Sequence, residues 1–341
     1  MKYRKTGNKR QIRMDTALVL SGGGAKGAYQ VGVISELLSR GVDFDLISGS
    51  SIGAFNGALL AEFINKGLTN NEIARKMKQV WSELGDFLRI NWSGFINNFF
   101  TPARIPSIFT NQQIRDLLEK YISSDRRFSD YTGCQLSVTG TNLNNYEITT
   151  FDFNAKISVI KAVVASMAFP VALPAVKIKG DNYIDGGTLN NAPLKEAILW
   201  GTELVYVVFL SPLSAIAGPD HPHEDKNNYS ALEVIEILLD LASDKLMYGD
   251  LKNARKINKL ISLLNRYQSE LPQQFLKQIC QLFGLKSKGN KKIINVKKIA
   301  PQDILTPPGL IGFNQIEVLK DLIRKGEKDT RKLLKKKKKK R

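Results

Sequence analysis

The sequence predicts an α/β protein whose first strands turn directly into helices. Two features carry that prediction. One is a pair of glycine-punctuated turns, each leaving a short apolar run and opening into a helix-like pattern. These are Gly22-Gly23-Gly24-Ala25-Lys26-Gly27 after Ala17–Leu20, and Gly49-Ser50-Ser51-Ile52-Gly53 after Phe44–Ile47. The other is Leu204–Leu210 (LVYVVFL), a continuous apolar run of the kind a buried strand needs.

Taken in order, residues 1–15 read as a flexible basic arm and residues 16–212 as the core. The second turn opens a helix over Ile52–Phe63. Asn70–Leu84 sets Ile73, Met77, Val80, Trp81 and Leu84 at helical spacing. Gly85–Phe109 then changes texture, with Phe87, Trp92, Phe95, Phe99, Phe100 and Phe109 at no clean period. It reads either as a subcore under a long loop or as a mobile cover that lines an acyl channel or dips into lipid. An amphipathic helix runs from Thr110 or Asn111 to Ile122. Gln135–Thr141 and Tyr146–Phe151 alternate as a strand pair around Asn142–Asn145, and Ile157–Ser166 is helical. Ala175–Ile178 and Tyr183–Ile184 flank a Gly180-Asp181 turn as a second hairpin, which ends in Asp185-Gly186-Gly187. Pro193 opens a helix to Trp200.

Past Ser211 the pattern loosens. Ser214–Asn228 is a polar loop holding both histidines, His221 and His223. Ser230-x-x-Glu233 is a capping box for a long helix, or a broken pair, reaching about Arg266. A helix over Pro272–Phe283, a strand over Ile293–Ile299 and a helix over Asn314–Arg324 follow. Residues 213–330 are therefore expected as a mainly helical extension packed on the core, without a boundary sharp enough for an independent second domain. Residues 331–341 are expected as a disordered tail.

Two cysteines, Cys134 and Cys280, lie far apart without metal-like spacing, which argues against a disulfide framework or a zinc site and fits a reducing compartment. The basic first thirteen residues precede no apolar run, so no secretory signal is expected. The longest weakly polar stretch, Val163–Val176, is broken by Ser166, Pro170 and Pro174 and is too short to span a bilayer. A cytoplasmic protein, soluble or peripheral at a membrane, is expected.

Gly49-Ser50-Ser51-Ile52-Gly53 reads as a nucleophile elbow with Ser51 at its apex. In such a turn the chain leaves a strand and enters a helix within about two residues, under strain. A Cβ at Gly49 or Gly53 would collide with the neighbouring strand or helix. The serine oxygen then stands at the amino end of a helix, where free N–H groups and the dipole favour negative charge. The Ile52 amide is a natural oxyanion donor, and the Gly22–Gly24 backbone can approach closely enough to supply others. The first turn alone also fits a dinucleotide fingerprint, with Asp43 or Asp45 near the place of its ribose-binding acid.

A serine needs a group to take its proton. In chain order Ser51, Asp185 and His221 or His223 would form a triad, but both histidines lie in a polar loop of surface type. Asp185 is the better direct partner, since it ends a strand and the glycines after it leave its carboxylate unobstructed. An exposed aspartate is a weak base with a pKa near ~3.9, which partial burial would raise.

At these residues the chain resembles the patatin-like phospholipases. The shared blocks are Gly22–Gly27 with Lys26 before the last glycine, Gly49–Gly53, and Asp185-Gly186-Gly187. Ala165-Ser166-Met167-Ala168-Phe169-Pro170 and Asn190-Asn191 also fit, and the likeness runs from about Leu18 to Ser211. The resemblance implies a three-layer α/β/α sandwich with a mostly parallel sheet, related to cytosolic phospholipase A2. It implies lipid acyl-ester hydrolysis by a Ser51–Asp185 dyad without histidine, metal or other cofactor, through an acyl-enzyme. Amides around Gly23–Ala25 would hold the oxyanion, with Lys26 bracing the loop, meeting a lipid phosphate, or simply exposed. The alternative is a non-catalytic lipid- or nucleotide-binding protein that keeps the same glycine loop.

The formal net charge is +18, and seven of the basic residues stand in Lys335–Arg341. Such a run binds anionic surfaces at ~1 kcal/mol per residue at best. Contact with an anionic membrane is expected from it, and no specific nucleic acid. Phospholipids or other acyl-ester lipids are the expected substrates; the sequence carries no signal of oligomeric state.

Overall fold

The structure is a computed structural model, which describes residues 15–88, 107, 109–170, 172–189, 191–214, 231–267, 269–282, 293–306 and 312–336. Eight strands form one sheet in the order β5-β6-β3-β2-β1-β7-β8, with β4 also paired to β3. The strands are β1 (Thr16–Leu20), β2 (Leu46–Ser50), β3 (Gln135–Asn142), β4 (Glu147–Phe151), β5 (Val176–Ile178), β6 (Asp181–Asp185), β7 (Leu204–Val208) and β8 (Asn295–Ile299). β3, β2, β1, β7 and β8 run parallel, while β4, β5 and β6 pair antiparallel.

Alternation along β1 sorts the layers. Leu18 and Leu20 face one core with α1 (Ala28–Ser39), α2 (Ile52–Asn65), α3 (Asn70–Phe87), α4 (Asn111–Glu119), α5 (Val159–Ser166) and the C-terminal helix. Ala17 and Val19 face a second core with α6 (Leu194–Leu199) and α7 (Ala231–Tyr267). Both faces of the parallel part are covered, as a parallel sheet requires, and the result is a three-layer α/β/α sandwich. α8 (Gln273–Leu282) packs on α7 through Leu264, Leu276 and Cys280. Cys134 and Cys280 are free and buried.

The expected elements recur with shifted ends, and two expectations need correction. Asp15 belongs to the core rather than the arm: its carbonyl accepts the amide of Leu204 at 2.9 Å, and its own amide donates to Asp45 Oδ2 at 2.9 Å. The last helix, α9 (Ile316–Lys336), runs twelve residues beyond Arg324, so residues 331–336 are helical and not tail. Its amphipathic pattern explains the extension, since Thr330 is buried and Leu333 and Leu334 pack against the main core. The aromatic segment mostly falls outside the described residues, as do both histidines and the Ser230 cap. Among the described residues, no helix is long and apolar enough to cross a membrane, and no cluster of three metal-ligating side chains occurs.

Candidate active site

β2 ends at Ser50 and α2 begins at Ile52, so Ser51 alone makes the turn. It does so at φ 54° and ψ −126°, left-handed backbone that a side chain occupies at ~1–3 kcal/mol. The flanking glycines are obligatory. A Cβ on Gly49 would lie 2.4 Å from the Gly53 carbonyl oxygen, and one on Gly53 would lie 2.3 Å from that of Leu20. The Ser51 amide donates to the buried Ser166 Oγ at 2.9 Å, which holds the turn from the α5 side.

The partner arrives head-on. One edge of β3 carries β4. On the other edge β2 covers the first half, ending with Ser50 opposite Thr139, and β6 takes the second half, ending with Asp185 opposite Gly140. The two strands run towards each other, and their carboxyl ends meet. Ser51 Oγ donates to Asp185 Oδ2 at 2.5 Å.

Asp185 is buried, at 1% exposure. Its other oxygen accepts the Gly187 amide at 2.7 Å, and its carbonyl accepts the Thr188 and Thr141 hydroxyls at 2.8 and 3.0 Å. A Cβ on Gly186 would stand 2.3 Å from the Thr139 carbonyl oxygen, so this tight turn also needs glycine. Burial pushes the Asp185 carboxyl up to about 7, while the bonds from Ser51 and Gly187 pull the other way.

The first glycine loop lies against the elbow. Gly23 and Gly24 sit at φ 148° and 55°, conformations that favour glycine. Lys26 donates its amide to the Gly23 carbonyl at 3.2 Å, so the amides of Gly24 and Ala25 precede the first turn and lack an intrahelical acceptor. Ile52, as the first residue of α2, is in the same position.

Gly22 differs from the expectation that it supplies a free amide. Its N–H donates to Asn191, at 2.8 Å to Oδ1 and 3.3 Å to the carbonyl. Its lack of a Cβ serves close approach instead, since that atom would stand 2.9 Å from Ser51 Cβ. Gly27 likewise packs α1 against Ile52, where a Cβ would meet Cγ1 at 2.5 Å. Lys26 is 7% exposed, which removes the reading of it as a solvated helix-start lysine.

Behind the loop lies a buried polar relay that motif spacing did not disclose. Gln30 Nε2 donates to the Ser21 carbonyl at 2.7 Å, while Asn56 Nδ2 donates to the Gly27 carbonyl at 3.0 Å and to Gln30 Oε1 at 2.9 Å. Trp81 Nε1 closes the relay on Asn56 Oδ1 at 2.8 Å. Both ends of the glycine loop are thus fixed from α1, α2 and α3. The available signal was a lone amide in the middle of each apolar helix, AYQVGV and GAFNGA. Asn191 and Ser166 show in the sequence only as members of the Asn190-Asn191 and Ala165–Pro170 stretches.

The dinucleotide alternative fails on position. Asp45 precedes β2, and its Oδ2 accepts the Asp15 and Thr16 amides, both at 2.9 Å. It is therefore at the amino end of the strands, opposite the glycine loop.

A doubly covered α/β sheet, with a serine–aspartate pair at facing strand ends beside a glycine loop, defines the class as α/β/α proteins with a hydrolase-type elbow. The patatin-like phospholipase pattern matches residues 18–198, and the chain belongs to that family of lipid hydrolases. It is 29% identical over 195 residues to lysophospholipase NTE1 of Lodderomyces elongisporus, covering 56% of this chain and 12% of that one. It is 32% identical over 198 residues to mouse patatin-like phospholipase domain-containing protein 7, covering 56% and 13%. The chain thus spans a small part of these relatives. Among solved structures, VipD from Legionella pneumophila aligns with a TM-score of 0.42 and 14% identity, over 95% of this chain and 67% of that one.

Proposed function

We propose that the protein hydrolyses carboxylic esters of membrane lipids, as a phospholipase A or lysophospholipase, through Ser51 and Asp185. The observation that carries the reading is the 2.5 Å bond from Ser51 Oγ to a buried carboxylate raised towards neutrality. Ser51 attacks the ester carbonyl while its proton passes to Asp185. The negative charge on the carbonyl oxygen is taken by amides of Gly23, Gly24 and Ala25, with Ile52 a further donor. One such donor typically contributes ~3–4 kcal/mol of barrier lowering. The tetrahedral adduct expels the alcohol, which takes the proton from Asp185. Water, deprotonated by Asp185, then attacks the acyl-enzyme, and as this adduct collapses Asp185 returns the proton to Ser51 Oγ and the fatty acid is freed. The names of the relatives favour a lysophospholipid as first substrate to try.

Lys335–Arg341 would hold the enzyme near anionic bilayers by charge alone. The deciding experiment combines fluorophosphonate labelling with fatty-acid release from lysophosphatidylcholine. Labelling and release by the natural chain, both lost in Ser51→Ala, are expected. A natural chain that is folded yet neither labels nor turns over any ester would overturn the reading.

A further inference from the structure

We infer that the paired tips of the β3–β4 and β5–β6 hairpins form the surface by which the chain seats its active-site end on an anionic lipid bilayer. The inference rests on the proposed lipid substrate for its choice of partner. Its physical basis is separate.

β3 continues two residues past Gly140, the rung beside Asp185, and the chain leaves it at Leu143, three residues on. At ~3.3 Å per residue the tip stands roughly 10 Å beyond the catalytic pair, at the sheet end where Ser51 lies. The β5–β6 turn at Lys179-Gly180 sits beside it, because β6 runs antiparallel along the same stretch of β3. The two tips are stapled: the Leu143 amide donates to the Asn182 carbonyl at 2.8 Å, and the Asn182 amide to Asn144 Oδ1 at 2.9 Å.

What they present is unusual for a solvated turn. Leu143 is 38% exposed, Ile148 40% and Tyr146 80%. Tyr146 adopts φ 60°, a conformation that hairpin turns normally assign to glycine or asparagine. The chain therefore accepts backbone strain to hold an aromatic ring in solvent. Lys177 and Lys179 are exposed on the neighbouring tip, Lys179 also at positive φ (51°). The tips also carry two carboxylates, Glu147, whose Oε2 accepts Asn145 Nδ2, and Asp181, whose Oδ2 accepts Asn142 Nδ2. An amphipathic aromatic, two aliphatic side chains and adjacent lysines match the boundary between acyl chains and anionic headgroups. Seated there, the tips would bring the Ser51 end of the sheet to the lipid.

The test uses the full chain carrying Ser51→Ala, so that vesicles are not consumed. Flotation is measured with phosphatidylcholine vesicles, with and without phosphatidylserine. Tyr146→Gly with Leu143→Ser should weaken partitioning about tenfold on both vesicle types. The glycine relaxes the strained φ, so loss of folding is not the expected outcome. Lys177→Gln with Lys179→Gln should weaken partitioning only where phosphatidylserine is present. With Ser51 intact, both pairs should hydrolyse a soluble short-chain ester at the natural rate. Unchanged flotation of both pairs overturns the inference. So does a chain that self-associates through these residues, losing dimers but not vesicle binding on substitution. Hairpin-dependent flotation by a chain that fluorophosphonate does not label would leave the surface standing and remove the enzyme reading alone.

Discussion

Ser50 and Asp185 occupy successive rungs of one edge of β3, opposite Thr139 and Gly140, although 134 residues separate Ser51 from Asp185 in the chain. The meeting of Ser51 and Asp185 is therefore a property of strand pairing. Both side chains are fixed by backbone on rigid elements, not by flexible loops. Ser51→Ala and Asp185→Asn should each lower ester turnover at least about a thousandfold, with little change in lipid binding. A residual rate in Asp185→Asn within tenfold of the natural chain would show that another group takes the proton.

The pH dependence follows from burial. Asp185 must be ionised to accept a proton, and its carboxyl is raised from 3.8 to about 7. kcat/KM on a neutral ester should thus rise with pH and level off above about 7, a range in which an ordinary aspartate would give no inflection.

Stability should move the opposite way. The folded state binds the Asp185 proton more tightly than the unfolded chain, so this group favours folding fully below about 4 and loses that effect as pH rises to about 7. Asp185→Asn carries no such ionisation. Its Tm relative to the natural chain should therefore climb between pH 4 and 7 and stay level above, even as activity is lost.

Asn191 tests the geometry of the glycine loop. Its side chain accepts the Gly22 amide at 2.8 Å and meets Met247 Sδ of α7 at 3.8 Å, linking the loop to the C-terminal extension. Asn191→Ala leaves Gly22 held only by the longer 3.3 Å bond. A fall in kcat of roughly ten- to a hundredfold with KM nearly unchanged is expected, since displacement of the loop misplaces its donors.

The buried relay makes a distinct demand on stability. Trp81→Phe keeps an aromatic ring but leaves the buried Asn56 Oδ1 without its donor. A loss of ~1–3 kcal/mol in urea unfolding is expected, together with slower turnover. Asn56→Leu should do more, because it also releases the Gly27 carbonyl and Gln30.

How far the sequence carried these conclusions depended on the range of the interactions. Ser51, Gly49 and Gly53 were legible because the elbow is local: strand, strained residue and helix follow one another within five positions. Asp185 was legible as a strand end before two glycines, and its meeting with Ser51 was legible through the resemblance to a known family, not through local pattern. That meeting depends on β6 replacing β2 along β3, and no pattern within either hairpin encodes which edge it joins. Gln30 and Asn56 read as imperfections in apolar helices until the fold set them against each other. The end of α9 was missed because a lysine run resembles a solvated tail, whereas Leu333 and Leu334 before it still find the core.

That last helix supplies the final prediction, because it lies outside the matched residues 18–198 yet crosses α1 at backbone contact. A Cβ on Gly32 would stand 1.9 Å from the Ile323 carbonyl oxygen, and one on Gly326 would stand 2.1 Å from that of Tyr29. Two glycines, nearly three hundred residues apart, thus let the helices touch, and Arg331 pairs with Glu36 at 3.0 Å while Lys78 pairs with Glu327 at 2.6 Å around them. The part-exposed Lys78–Glu327 pair should matter little, ~0–1 kcal/mol, and the buried Glu36 keeps Arg40 as a partner when Arg331 is removed. The glycines cannot yield without moving backbone, so Gly32→Ala or Gly326→Ala should cost ~1–3 kcal/mol or more. α1 opens directly from the glycine loop, so the same substitutions should also lower kcat, whereas Arg331→Ala should leave it unchanged. If Gly326→Ala left both Tm and kcat intact, α9 would be a loosely held appendage and not part of the framework that sets the loop.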